Sequence, residues 1–376
     1  MKSIGLYIHI PFCKQKCFYC DFCSYANKLE LQDRYVNSVI NELKNIDEDY
    51  LINTIYIGGG TPSIIEPGLI GKILEAVNSK FQISEDVEIT IEVNPGTISL
   101  EKANMYKSFG INRVSMGLQS ANDELLKIIG RIHNYNDFEN AYSILEQAHF
   151  DNINVDLMIG LPNQTMLDTE STLQKIILKN PKHISVYSLI VEPGTVMEKL
   201  IDEKKLTLPD EDVERAMYWT VKNILESNGF YQYEISNFAK KGFESRHNMD
   251  CWNQKEYIGL GAAAHSYLNA IRYSNISSVE KYIANIENNN FESNKIIHET
   301  QNNEDMMKEY MIIGLRKISG VDINAFKKKF NSNPIEVFKN EIDKMIKLNL
   351  VKIKDNSISL TSKGIDFANV VWEEFV

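Results

Sequence analysis

Positive charge, long apolar runs and cysteine are all in short supply here, and each shortage removes a class of function. The 376 residues hold 40 Lys and Arg against 51 Asp and Glu, a formal net charge of −11. That balance argues against a nucleic-acid partner, which would call for a basic footprint. No apolar stretch approaches the roughly 20 residues that cross a bilayer, so an integral membrane protein is not expected. The opening MKSIGLYIHIPF is too short for the apolar region of a secretory signal and meets Cys13 without a small-residue cleavage site. A cytoplasmic, reducing location is therefore expected. Internal repeats and coiled-coil heptads are absent too.

Cysteine occurs only five times, and four of the five crowd into PFCKQKCFYCDFCSYANK as Cys13, Cys17, Cys20 and Cys23; the fifth is Cys251. An odd, clustered set in a reducing compartment argues against a disulfide framework and for a metal site. The surrounding Lys14, Gln15 and Lys16 make this a polar loop rather than core.

What is present is regular. Short runs rich in Val, Ile and Tyr fall at 5–10, 53–59, 87–93, 112–118, 153–161 and 184–191, each bounded by Gly, Pro or Asn. Between them lie segments of helical period, one with Leu31, Tyr35, Val39, Ile40 and Leu43 on a stripe, another with Ile70, Ile73, Leu74 and Val77. Strands alternating with helices imply an α/β fold with parallel pairing through crossovers. An open doubly wound sheet and a complete or partial barrel both satisfy that pattern. A helix at 211–229, capped by Gly229, closes this first domain, taken as 1–230. Residues 231–303 read as a connecting segment, aromatic and glycine-punctuated at first and then, over 285–303, an Asn-rich linker. Residues 304–376 read as three helices around a hairpin that turns at Asp355-Asn356, a winged-helix-like α+β domain. Its twelve Lys and Arg against eleven Asp and Glu are too balanced for a DNA-binding surface, so a lid or docking surface over the barrel is expected.

In parallel α/β folds chemistry collects at the C-terminal ends of strands. The cysteine loop follows the first strand, GGGTP (58–62) the second, Glu92 ends the third and Gln119 the fourth, Asp156 lies in the fifth and Tyr187 in the sixth. The C-x3-C-x2-C spacing suits a four-iron cubane with one iron left open. Cys23 is able to supply a fourth thiolate and close either this site or a zinc-like one. GGGTP either lets backbone approach a ligand or makes a tight turn; it lacks the lysine of a P-loop. Glu92 and Asp156, if buried, need a partner such as an ammonium, a ribose diol or Arg131, or else form a barrel salt bridge.

Together, CKQKCFYC after a first strand, GGGTP, IEVNP, GLQS and DLMIGLP resemble the radical S-adenosylmethionine (SAM) proteins, most nearly the oxygen-independent coproporphyrinogen oxidase-like group. The resemblance covers nearly the whole chain. It implies a partial (β/α)6 barrel in which Cys13, Cys17 and Cys20 hold a [4Fe–4S] cluster whose open iron chelates SAM. By motif, Tyr7, Gly59 and Glu92 contact that SAM, while Tyr19, Gly60, Thr61, Gln119, Arg131 and Asp156 match positions that contact a second SAM in the oxidases. The oxidases carry an N-terminal extension and a fourth cysteine two residues after the third. Here the cluster motif begins at residue 13 and that position is Phe22, as in the heme chaperone (HemW-type) branch. That branch carries HNxxYW, linked to heme binding; HNMDCW matches at His247 and Asn248, with Cys251 replacing the tyrosine. His247 is thus the expected heme contact, with the Cys251 thiolate a competent alternative ligand. His265 is expected to be structural. The resemblance implies a heme chaperone serving heme-acceptor proteins, with a low-potential electron donor if SAM is cleaved. The alternatives are a SAM-dependent coproporphyrinogen III decarboxylase and, more remotely, a cluster-bearing regulator.

Overall fold

The computed structural model describes residues 1–46 and 49–376. Strands β1 (Lys2–Ile10), β2 (Tyr50–Gly59), β3 (Gln82–Val93), β4 (Arg113–Gln119), β5 (Asn152–Ile159) and β6 (His183–Ser188) lie side by side in sequence order, all parallel. Helices in the crossovers cover one face. Ile4, Leu6, Ile8 and Ile10 of β1 point into that layer and are fully buried, which is why the strand reads as an apolar run. The helix Gln32–Lys44 meets them with Tyr35, Val36, Val39 and Leu43. Gly5, Tyr7 and His9, on the alternate positions, face the concave side. Because the strands are parallel, all six C-terminal ends open at one rim.

The curl does not close. A hairpin of β7 (Tyr231–Glu234) and β8 (Asn237–Ala239) adds to β6 through antiparallel β8, while β1 pairs on its other side with parallel β9 (Tyr257–Leu260). Beyond β9 follow β10 (His265–Leu268), β11 (Ile271–Asn275) and β12 (Lys295–Thr300), giving twelve strands among the described residues. The fold is therefore a partial barrel extended at both edges. The stretch 285–303, expected as a linker, instead holds a single-turn helix at Phe291–Asn294 and then β12. Its asparagines mask the β-prone KIIHET, which pairs antiparallel with β11 from Ile271↔Thr300 to Asn275↔Lys295.

The C-terminal part has its own core, built around Met311, Phe326, Phe330, Phe338 and Val371. Its strands β13 (Val321–Asp322), β14 (Val351–Lys354) and β15 (Ser357–Leu360) form an antiparallel sheet in the order β13-β15-β14. The hairpin turns at Asp355 and Asn356, with φ of 50° and 62°, the left-handed pair of a two-residue turn. This winged-helix-like unit docks on the β7 edge, where the Ile318 amide donates to the Tyr233 carbonyl at 3.0 Å and the Ile235 amide to Arg316 at 3.1 Å. Asp366 anchors it further, accepting from Trp219 Nε1 at 2.8 Å and pairing with Arg215. It shields an exposed sheet edge. It is not a lid: the large cavity at the barrel rim is lined by residues from Cys13 to Glu192 only.

Candidate functional site

The loop after β1 is tied down before it reaches the cavity. Phe12 bridges to Tyr25, with the Cys13 amide donating to the Tyr25 carbonyl at 3.0 Å and the Tyr25 amide to Pro11 at 2.7 Å. The Phe18 amide reaches the Ile129 carbonyl at 3.0 Å, and Gln15 Nε2 the Gly130 carbonyl at 3.0 Å. From the next strand the Gly60 and Thr61 amides donate to Ile10 and Phe12 at 2.9 and 2.8 Å. That approach requires glycine: a Cβ on Gly60 would lie 2.7 Å from the Phe12 carbonyl and 3.0 Å from Cys13 Sγ. So GGGTP presses backbone against the cysteine loop.

Cys13, Cys17 and Cys20 all line one cavity of about 420 Å³ at the rim. Burial raises the pKa of the Cys13 and Cys20 thiols. Thr61 Oγ1 lies 3.6 Å from Cys13 Sγ, and Arg131 Nη1 3.6 Å from Cys17 Sγ. Cys23 is absent from the cavity wall. Its Sγ faces Tyr25 Oη at 3.6 Å and the Ser277 carbonyl at 3.5 Å.

Two carboxylates stand on the strand side of the cavity. Glu92 accepts from Tyr56 Oη at 2.8 Å and from the Gly59 amide at 3.1 Å. Burial pushes its pKa up to about 7, reinforced by nearby Asp156 and opposed by the Tyr56 hydrogen bond. Asp156 accepts from Asn154 Nδ2 at 2.7 Å and Ser115 Oγ at 3.0 Å, and burial raises its pKa too. Neither is in an ion pair among the described residues. Arg131, expected as their partner, turns elsewhere: its Nη2 donates to Asn94 Oδ1 at 2.7 Å and to the Gly117 carbonyl, and its buried Nε has no hydrogen-bond partner among the described residues. Gln119 enters the wall from a left-handed backbone, φ 72°, where the β4–β5 register slips.

Of the residues expected to meet SAM, Tyr19, Gly59, Gly60, Thr61, Glu92, Gln119, Arg131 and Asp156 do line the cavity. Tyr7 does not. Its hydroxyl lies 3.0 Å from His9 Nδ1, and its ring stacks on Tyr56 at 6.2 Å, one layer behind the wall. Sequence reasoning missed Tyr56, Asn94 and Ser115. Tyr56 sits two residues before Gly58 and directly across from Tyr7, so strand period alone placed it on the inner face. Asn94 follows Glu92 by two and accepts from Arg131 while donating to Thr61 Oγ1 at 2.8 Å.

The HNMDCW motif is not at the cavity. It forms a short helix, Arg246–Trp252, on the concave side beneath the cavity, where the His247 ring lies 5.3 Å from that of Tyr56. His247 is 7% exposed, its Nδ1 lies 2.9 Å from Thr54 Oγ1 and its amide donates to Glu88 at 3.1 Å. Burial lowers its pKa to about 4. Cys251 has its thiol pushed up to about 12 by burial, so it is not a ready thiolate. His247 is therefore buried, and neither it nor Cys251 lines the rim cavity. His265, expected to be structural, is instead exposed.

The residues present fit a [4Fe–4S] cluster with SAM. Three thiols on one loop open into the cavity, and across from them stand two buried carboxylates that are in no direct ion pair among the described residues, suited to a ligand carrying an ammonium and a diol.

Residues 7–176 match the family model of the radical SAM superfamily, and residues 301–367 that of the HemN C-terminal domain. The chain is 37% identical to the heme chaperone HemW of Bacillus subtilis, over 100% of this chain and 99% of that one. It is 36% identical to the heme chaperone HemW of Lactococcus lactis, over 100% and 98%. Among solved structures it superposes on the Escherichia coli coproporphyrinogen III oxidase HemN, a radical SAM enzyme, with TM-score 0.86 and 21% identity, covering 100% of this chain and 90% of that one; this shows a shared fold. With full-length identity of this order behind the cysteine loop and its cavity, the chain belongs to the HemW heme chaperone family of the radical SAM superfamily.

Proposed function

We propose that this protein is a heme chaperone, binding heme and passing it to heme-acceptor proteins in the reducing cytoplasm. The observation that carries the reading is the likeness to HemW chaperones along the whole chain. Cys13, Cys17 and Cys20 hold the cluster. Tyr19, Gly59, Gly60, Thr61, Glu92, Gln119, Arg131 and Asp156 form the walls that receive SAM, with Tyr7 buttressing Tyr56 from behind. The cluster, when bound, supplies one-electron chemistry. If SAM is cleaved, a low-potential electron donor has to reach the same rim. Arg131 keeps a positive charge beside Cys17, and the two carboxylates take a cation once they lose their protons. His247 and Cys251 are assigned no axial role.

An anaerobic heme titration of the cluster-reconstituted protein, followed in the Soret band, tests the reading. Saturable binding of about one heme supports it. No saturable binding sinks it, and vinyl products formed from coproporphyrinogen III would then establish the decarboxylase.

A further inference from the structure

The inner face of the sheet continues past β1, through β9 and out to β12, and there it offers two histidines to solvent. His265 opens β10 and pairs with Ser274, which in turn pairs with Ile296. Residues opposite one another in a sheet share a face, and so do residues two apart. His265, Ser274, Ile296 and His298 thus stand together, on the face that carries Tyr267 and Tyr257. The two imidazoles lie nearly parallel, centroids 5.3 Å apart at 13°. Ser274 Oγ, 2.8 Å from His298 Nε2, fixes the second ring. The first ring has no hydrogen-bond partner among the described residues. Its pKa is lowered, by burial and then by His298, so its lone pair is free at neutral pH. Ile296, 44% exposed, provides apolar surface beside the pair. The face is continuous with β1, whose Tyr7 pairs with Gly259 of β9 and whose His9 Nε2 lies 2.8 Å from the Cys23 carbonyl.

We propose that His265 is an axial ligand to heme iron on this open face, with His298 as the residue that positions it and Ile296 as apolar floor. The proposal rests on the heme chaperone reading above. The geometry suits heme better than a bare ion. A divalent ion in a protein site takes about four donors, and among the described residues no group of three or more His, Cys, Asp or Glu is gathered to hold one. Two stacked parallel rings also cannot both direct lone pairs at one ion. Heme iron brings four nitrogens of its own and asks only for an axial donor, which one exposed imidazole supplies, while Ile296 offers the ring an apolar contact.

The test is an anaerobic hemin titration of the cluster-loaded full chain as wild type, His265→Ala, His265→Met and His298→Ala. His265→Ala is expected to weaken heme binding at least tenfold and to lose the wild-type Soret position, with free imidazole restoring that position. His265→Met should shift the Soret band, because the donor changes. His298→Ala should leave the band in place but broaden the pH range over which it is lost, since the ligand ring is no longer held. Unchanged cluster absorbance in each variant certifies the fold. Wild-type affinity and spectrum in His265→Ala would overturn the proposal and leave the chaperone reading standing. Failure of the wild type itself to saturate would overturn both.

Discussion

The Tyr56 hydroxyl donates to Glu92 Oε1 across 2.8 Å, while the backbone of Gly59 holds the other carboxylate oxygen at 3.1 Å. The carboxyl group is thereby aimed into the cavity but kept short of full ionisation, its pKa raised to about 7 by burial. A raised carboxyl pKa stabilises the fold at low pH, and that contribution is lost as pH climbs from the ordinary glutamate range through about 7. Thermal denaturation of the cluster-free protein should therefore show Glu92→Gln more stable than wild type at pH 8 and similar to it at pH 4. The gap at pH 8 has an upper bound of about 3 kcal/mol.

The same group sets how SAM binds. A cationic ligand favours the ionised carboxylate, so binding should release a proton below pH 7. SAM affinity, measured by calorimetry, is expected to fall toward roughly tenfold per pH unit on the acid side. Glu92→Gln should bind more weakly and with a flatter profile. An equally steep profile in that variant would move the titration to another group.

Changing Cys13, Cys17 or Cys20 to Ala should abolish the iron–sulfur absorbance after reconstitution. Cys23→Ala should keep it, because that thiol faces Tyr25 and Ser277. Loss of the cluster in Cys23→Ala would show that the three-ligand assignment is wrong.

Gly60→Ala probes the close approach of β2 to the cysteine loop. A methyl 2.7 Å from the Phe12 carbonyl and 3.0 Å from Cys13 Sγ forces the loop away, at a cost of about 1–3 kcal/mol. Iron content per chain should drop well below wild type while far-UV circular dichroism stays unchanged. Full iron loading would mean that the loop yields without losing its ligands.

His247 should matter to stability instead of to heme. Its pKa is lowered to about 4 by burial, so the stability it lends is complete above pH 6.5 and is lost as pH falls toward 4. His247→Gln should flatten the fall in melting temperature between pH 6.5 and 4. His247→Ala should lower that temperature at every pH, since it empties a buried site and strands Thr54 Oγ1. Heme affinity should be unchanged in both once they are folded.

The cysteine loop, the six parallel strands and the cavity-lining residues at their ends were legible because each rests on local pattern: period two, glycine at a close approach, a charge at a strand end. What escaped depends on distant pairing. Strand β12 was hidden because the asparagines around KIIHET outweighed its β-branched residues, and only β11 reveals its place. His247 is buried by Thr54, a residue 193 positions away, and no local feature of HNMDCW announces that. Tyr7 and Tyr56 are neighbours by register, yet just one of them reaches the cavity, and the sequence treats them alike. Arg131 was assigned to the carboxylates by charge, whereas the carbonyl of Gly117 and the amide of Asn94 claimed it by geometry.

Strand β1 lies between β2 and β9 and finds its second neighbour only when residues 257–260 exist. During synthesis the first strand therefore waits for about 250 further residues to emerge. At ordinary ribosomal speeds that interval is roughly 10–50 seconds. Through it the thiols of Cys13, Cys17 and Cys20 hang from a strand whose outer edge is still unpaired. A chain truncated before β9 would therefore keep all three cysteines but leave the strand that carries them with one edge unpaired.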